Sequence, residues 1–311
     1  MIAAAGLLVY AGLLLAGAPL LARAGWPDRA PRLAIAAWLA QAYSAVASVA
    51  LAGLALLVPT ERLSGLLARL LMVCGMALRE KYAHPGGPAL AAAGGVLAAI
   101  VAARLAWCAV ATLAATARTG RRHRLRLRLA GRPDERLGAI VIDHNEPAAY
   151  CMPGARRPVV LTTAALRLLD ETQLAAVLAH ERAHQAGRHH LLVALAAIPA
   201  AAFPLVPAFT DARDEVARLA ELAADDVAAT RSPRLAVAEA LLALGSAPAV
   251  AWALGAGGST AAERVRRLIA APDPLSRTAS TAGGLTVAAL SALPLILLAA
   301  PACCVFGVGY L

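Results

Sequence analysis

The sequence has few charged residues. Asp, Glu, Lys and Arg make up 15% of its 311 residues, whereas a soluble globular chain carries roughly 25%. Long uncharged runs cause this shortage and give a mean hydropathy of +0.67. The composition therefore argues against an ordinary soluble enzyme and indicates an integral membrane protein that is mainly α-helical.

Paired cysteines are also absent. The 5 cysteines are scattered and no C-x-x-C occurs, so neither a disulfide framework nor a thiolate metal site is expected. Lys81 is the only lysine, and arginine supplies almost all of the formal net charge of +10. We interpret these arginines as flanks of membrane spans and expect no direct binding of nucleic acid.

Uncharged runs of about 20 residues can cross a bilayer as helices. Three such runs predict transmembrane helices at about 2–22, 33–58 and 88–117, and a fourth span falls within 276–311. No Lys or Arg precedes the first run, and its apolar region is long for a signal peptide, so we expect an uncleaved helix. We accordingly predict a membrane region over 1–117, an inserted domain over 118–275, and a final span over 276–311.

Arginine placement predicts the orientation in the cell membrane. Seven arginines between Arg118 and Arg132 follow the third span directly, and positive residues concentrate on the cytoplasmic side. The inserted domain is therefore expected in the cytoplasm, with both termini outside. The third span itself contains Arg104, which is tolerable if it faces the helix bundle or reaches the interface. Leucines at helical spacing between 63 and 71 predict that the outer loop lies flat on the membrane.

The inserted domain has a different periodicity. "HRLRLRLAG" alternates with period two and predicts a half-buried strand, and "LGAIVID" and "RPVVLTT" predict two more. A helix over 171–186 follows, with Asp170 as N-cap, Gln173 at the capping-box position and Gly187 at its end. The pattern predicts a small α+β domain.

That helix carries the sequence H-E-x-x-H as His180, Glu181 and His184. Residues four apart share a helix face, so both imidazoles can reach one metal ion. Glu181 lies beside them and is the predicted general base, which takes a proton from a metal-activated water. The spacing predicts one Zn²⁺ per chain.

A catalytic zinc needs a third protein ligand, and two candidates compete. "HERAHQAGRHH" fits the metzincin pattern H-E-x-x-H-x-x-G-x-x-H with His190 as the ligand, but no methionine follows for the methionine turn of that class. "ELAAD" offers Glu221 as the ligand and Asp225, one turn later, as the partner of a ligand histidine. Glu215 and Glu239 are rivals that lack such a partner, and Asp226 is interpreted as part of a solvated acidic face.

The zinc hypothesis constrains the topology. The run from Leu191 to Phe209 has no charge, but a single crossing there would separate His184 from Glu221 by a membrane. We therefore expect the run to re-enter, or to lie against the membrane or the domain. Three prolines in the run agree with this, because they break a straight helix.

Two blocks of the chain, "AAYCMPGARRPVVLTTAALRLLDETQLAAVLAHERAHQAGRHH" and "VARLAELAADDVAA", together with the weaker "AAERVRRLIA", resemble the BlaR/MecR-type integral-membrane zinc metallopeptidases, the antirepressor family. The resemblance is greatest to short forms without the extracellular penicillin-binding sensor domain. It implies a gluzincin-like domain with His180, His184 and Glu221 on zinc and Glu181 as base.

The resemblance also implies roles for neighbouring residues. The strand before the motif helix would pair with the substrate backbone near Ala148, Ala149, Tyr150 and Cys151. Arg264 would pair with a site carboxylate, steady the oxyanion or form a structural salt bridge. The expected partner is a protein substrate, with a BlaI/MecI-type repressor as one candidate. Oligomeric state is open.

Two other functions are kept as alternatives. One is a housekeeping membrane protease of the HtpX type, which shares H-E-x-x-H and E-x-x-x-D. The other is a non-catalytic, zinc-stabilised membrane signal transducer. Glu181 argues against the transducer, because a structural zinc does not need a base.

Overall fold

A computed structural model describes residues 1–57, 87–152, 158–245 and 261–304, and most of them are helical. The expectation for leucines 63–71 lies outside the described residues. The helices, in chain order, are α1 (Ile2–Arg23), α2 (Pro31–Leu57), α3 (Gly87–Ala130), α4 (Thr163–Leu168), α5 (Glu171–Ala186), α6 (His189–Ala202), α7 (Pro207–Ala228), α8 (Arg234–Gly245), α9 (Ala261–Ala270) and α10 (Arg277–Cys304).

Four described helices, α1, α2, α3 and α10, are long and apolar enough to cross a membrane. Each of them overlaps one of the four runs selected from the sequence. Helices α2 and α3 approach closely at Gly53 and Gly94, because a Cβ on Gly53 would lie 2.5 Å from the carbonyl oxygen of Gly94. Arg104 donates from Nε to the carbonyl oxygen of Ala202 at the end of α6, so it faces another helix of the protein, as expected.

The strand predicted from "HRLRLRLAG" is wrong. Helix α3 runs without a break from Gly87 to Ala130 over 44 residues, a length of about 66 Å. Leucine and arginine are good helix formers, and this stretch has no β-branched residue to favour a strand. The first strand, β1, begins only at Gly131.

The sheet has four strands, β1 (Gly131–Asp134), β2 (Ala139–Ile142), β3 (Ala149–Cys151) and β4 (Val159–Thr162), in the order β1-β2-β4-β3. Strands β2 and β4 are those predicted from "LGAIVID" and "RPVVLTT", and they pair in parallel. Strand β3 pairs antiparallel with β4 and lies at an edge of the sheet.

The two faces of the sheet are covered by different helices. Val160 of β4 and Tyr150 of β3 pack against Leu127 near the end of α3. Val159 and Leu161 point the other way and pack with residues of α5. Successive side chains of a strand point to opposite faces of the sheet. The sheet therefore packs against the long helix α3 on one face and against the motif helix α5 on the other.

Helix α5 begins and ends where the sequence predicts. Asp170 accepts from the Gln173 backbone, and the Gln173 side chain accepts in return, so the capping box is confirmed. Gly187 follows the helix, but its φ of −76° is right-handed. The left-handed residue is Arg188, with φ 50°.

The uncharged run after α5 forms a helical turn-back. Helix α6 has only 14 residues, about 21 Å, and α7 begins at Pro207 after a short connection. The rings of Phe203 and Phe209 lie 5.9 Å apart at this connection. Because α7 then packs along both α6 and α5, the chain returns to the motif helix. Of the three prolines, Pro199 stays inside α6, while Pro204 and Pro207 fall at the break.

Candidate metal centre

Helices α5 and α7 bring His180, His184 and Glu221 into one cluster, which is a group suited to hold a metal ion. The Nε2 atoms of the two histidines are 3.0 Å apart. Glu221 places Oε2 3.6 Å from Nε2 of His180 and Oε1 3.4 Å from Nε2 of His184. The three residues proposed as ligands from the sequence therefore lie together in one cluster.

The donor set fits zinc. Two imidazoles and one carboxylate are the ligands of a common class of catalytic zinc site, with bonds of about 2.0–2.1 Å. A tetrahedral ion with such bonds holds its ligand atoms about 3.3 Å apart, and the observed separations of 3.0, 3.4 and 3.6 Å lie around that value.

Asp225 holds His180 from behind. Its Oδ1 lies 3.0 Å from Nδ1 of His180, and its side chain is 1% exposed. Burial alone would lower the pKa of His180, but the carboxylates of Asp225 and Glu221 outweigh burial and raise it to about 10. A metal ion at this ring would therefore compete with a proton.

Arg264 from α9 neutralises this side of the cluster. It donates from Nε and Nη2 to the two carboxylate oxygens of Asp225 at 2.8 and 2.7 Å, and its Nη1 is 3.0 Å from Oε2 of Glu221. Burial would raise the pKa of both carboxyls, but Arg264 and His180 hold both below their usual range. Of the roles considered for Arg264, pairing with site carboxylates is the one its contacts support.

The other histidine of the cluster has a neutral partner. Nδ1 of His184 lies 3.0 Å from Nδ1 of His189, and the two rings meet edge to face with centroids 4.8 Å apart. Burial lowers the pKa of His184 to about 3 and that of His189 to about 4, so both rings are neutral at pH 7. If His184 offers Nε2 to a metal, its Nδ1–H donates to His189.

Gly187 makes room for this contact. A Cβ at Gly187 would lie 2.3 Å from Nε2 of His189. The glycine is thus required by the imidazole two residues later rather than by its own backbone conformation. His189 was not selected from the sequence as a site residue, yet only 4% of it is exposed. No spacing within one helix marks this partner, because His184 and His189 lie in the successive helices α5 and α6.

Glu181 lies beside the cluster, next to the edge strand. It hydrogen-bonds with the side chain and backbone of Cys151. Burial raises the pKa of Glu181 to about 7, and the charge of Glu221 also raises it. A carboxylate with this pKa can both accept and return a proton near neutral pH. Burial, together with Glu181, raises the pKa of Cys151 to about 12, so this thiol stays protonated.

The residues named for substrate contact line the same cleft as the cluster. Ala148 to Cys151 border a cleft of about 1380 Å³ that also reaches His180, Glu181 and Glu221. Among the described residues, the outer edge of β3 has no neighbouring strand. A strand was expected near Ala148 to Cys151, and β3 lies there; its pairing with substrate stays a prediction.

The rival ligands are not part of the cluster. His190 borders the cleft, but the metal-type group among the described residues does not include it. Glu215 pairs with Arg218 on its own helix, and Glu239 is 3.4 Å from Nε2 of Gln173. Asp226 was assigned to a solvated face, but it forms a two-bond pair with Arg267 at 2.7 and 3.0 Å. Arg264 and Arg267 of α9 pair with the adjacent Asp225 and Asp226, and only the pair of Asp226 with Arg267 was not expected from the sequence.

Residues 116–264 match the family model for peptidase family M48. The M48 match extends from α3 to Arg264 in α9, so it includes the sheet and every residue of the cluster. It supports a metallopeptidase of the M48 family. No homologue supports the narrower BlaR/MecR-type resemblance. No curated protein and no solved structure matches the chain.

Proposed function

We propose that this protein is a membrane-embedded zinc endopeptidase that cleaves a protein substrate in regulatory proteolysis. The observation that carries the proposal is the cluster of His180, His184 and Glu221 beside Glu181, at the edge of an open cleft. A BlaI/MecI-type repressor remains the candidate substrate suggested by the resemblance. Housekeeping proteolysis of the HtpX type is the second candidate, since it uses the same motifs.

His180, His184 and Glu221 would hold the zinc through Nε2, Nε2 and a carboxylate oxygen. A bound zinc would lower the pKa of a water and polarise the scissile carbonyl. Glu181 takes a proton from the attacking water and returns it to the leaving nitrogen. Asp225 and His189 fix the ring orientation of the two histidines, and the backbone of β3 aligns an extended substrate.

Glu181→Gln tests this role. The amide keeps the size of the side chain but cannot accept the proton, so zinc content and fold should persist while hydrolysis falls about a thousandfold or more. Peptide hydrolysis by the purified protein measures the loss. Comparing the proteomes of cells with the wild type and this variant identifies the substrate and separates a single regulatory target from general turnover. Full proteolysis in the variant would remove Glu181 from the mechanism.

We further propose four membrane spans with the zinc domain over 118–275 in the cytoplasm and both termini outside. Two contacts support a common side for the first loop and the domain: Asp28 pairs with Arg218 at 2.8 Å, and its carbonyl accepts from Arg267. Like the arginine-rich segment after Ala117, this loop carries arginines typical of the cytoplasmic side.

Cysteine labelling tests the topology, in a background without the native cysteines. Probes at Ala186 and Arg213 flank α6 and should both react from the cytoplasmic side, whereas a probe at Ala83 should react from outside. Labelling of Ala186 and Arg213 from opposite sides would contradict the shared site of His184 and Glu221.

A further inference from the structure

One face of α3 lines the same cleft as the motif helix α5. The lining residues of α3 recur at intervals of three and four, as expected for one helix face. Its polar members are Thr112, Thr116, Thr119, Arg122, His123 and Arg126. The third membrane-type helix therefore borders the candidate active site directly.

Two of these residues, Arg122 and Arg126, are called the basic pair here. They are four residues apart, both are exposed, and both line the cleft. In the described part of the chain, neither guanidinium forms an ion pair. This contrasts with Arg264, also in the cleft, whose charge is matched by Asp225 and Glu221.

The basic pair lies beside the edge strand. His123, between the two arginines, places Nε2 2.7 Å from the Oη of Tyr150 in β3. Leu127, next to Arg126, packs against the same tyrosine. A peptide extended along β3 would therefore run past the basic pair.

We propose that the basic pair determines specificity: the enzyme prefers an extended peptide with an acidic side chain close to the scissile bond. The inference rests on the proposed function and adds a substrate class to it. A peptide gains affinity by main-chain pairing with the outer edge of β3, which has no neighbouring strand among the described residues, and this pairing is independent of the peptide's sequence. The two guanidinium groups of the basic pair then attract an acidic side chain and repel a basic one.

A competing explanation is that these arginines only flank a membrane span, in which case they would bind anionic lipid headgroups. The positions of the arginines relative to the cleft distinguish this explanation from a role in specificity. Arg124 and Arg128 belong to the same arginine-rich segment but do not line the cleft. A lipid role would involve both sets, whereas a role in specificity would involve Arg122 and Arg126 alone.

The experiment compares Arg122→Glu/Arg126→Glu with Arg124→Glu/Arg128→Glu. Both double variants lie on the same helix, with the same spacing and the same change of net charge. Full-length protein in neutral detergent is given peptides that differ only in Glu, Gln or Lys near the cleaved bond. The ratio of kcat/KM for the Glu peptide to that for the Lys peptide is the readout. Peptide affinities measured in a Glu181→Gln background give the same ratio without turnover.

The wild type should favour the Glu peptide by about tenfold, and the preference should shrink at high salt because the charges are exposed. Arg122→Glu/Arg126→Glu should lose or reverse it, while Arg124→Glu/Arg128→Glu should keep it. An unchanged ratio in the first variant, or an equal change in both, overturns the proposal. A difference that appears only with phosphatidylglycerol vesicles overturns it in favour of headgroup binding. Cleavage of the Gln peptide tests the proposed function separately.

Discussion

The two histidines of the metal-type cluster have chemically different partners at their Nδ1 atoms. On the α7–α9 side, Asp225 backs His180 and is itself balanced by Arg264. On the α6 side, His184 is backed by the neutral ring of His189. The first arrangement orients an imidazole by charge and the second by a hydrogen bond and packing. The comparison teaches that the two histidines of one motif should respond differently to loss of their partners.

Asp225→Asn should have the larger effect of the two partner substitutions. The amide keeps the shape of the side chain but leaves the buried guanidinium of Arg264 with less compensating charge, at a cost of about 2 kcal/mol or more. Zinc affinity should fall by about ten- to a hundredfold. Thermal unfolding and metal competition measure the two effects.

Asp226→Asn is the matched control for that experiment. Asp226 also forms a two-bond pair with an arginine of α9, but its side chain is 39% exposed. Water can reach the Asp226 end of this pair, and Asp226 does not touch the cluster, so this variant should keep zinc affinity and lose less stability than Asp225→Asn. Equal losses in the two variants would show that both pairs hold α9 in place without a specific role at the metal.

His189→Phe should have a smaller effect, limited to the neutral side. Phenylalanine fills the space but leaves Nδ1–H of His184 without an acceptor, which should weaken zinc binding about tenfold. The visible spectrum of the cobalt-substituted protein should also change, because it reports ligand geometry. His189→Asn, whose side-chain oxygen can accept, should recover part of the affinity. A fully wild-type spectrum and affinity in the phenylalanine variant would reduce His189 to a packing residue.

Gly187→Ala tests the role of His189 without removing its ring, and it should have the smallest effect of these substitutions. The new Cβ would meet the His189 ring at 2.3 Å, so His189 must shift while its nitrogen atoms remain. We expect a change in zinc affinity of the same direction as in His189→Phe but smaller, with little effect on the Asp225 side.

Sequence alone predicted the parts of the fold that depend on local signals. The capping box of Asp170 and Gln173 specified the start of α5 to the residue. The alternation of leucine and arginine before Gly131 suggested a strand, but this segment continues a helix that begins in the preceding apolar run. Both residue types are good helix formers, so nothing in the segment ends that helix. Helix α3 ends at Ala130, and strand β1 begins at Gly131.

The candidate site shows the same division. His180, Glu181 and His184 are recognisable because a single helix turn sets their spacing. Glu221 and Asp225 could be proposed because E-x-x-x-D has a chemical reason beside a zinc site. His189, the basic pair and the pairing of Asp226 with Arg267 depend on how separate elements pack, and no spacing within one element encodes them.

The most direct test of the central claim is the zinc content of purified Glu221→Ala and His190→Ala, measured beside the wild type. If His180, His184 and Glu221 form the site, the wild type carries one zinc per chain, His190→Ala keeps it, and Glu221→Ala loses it. Full occupancy in Glu221→Ala, with loss in His190→Ala, would contradict the account and favour His190 as the third ligand.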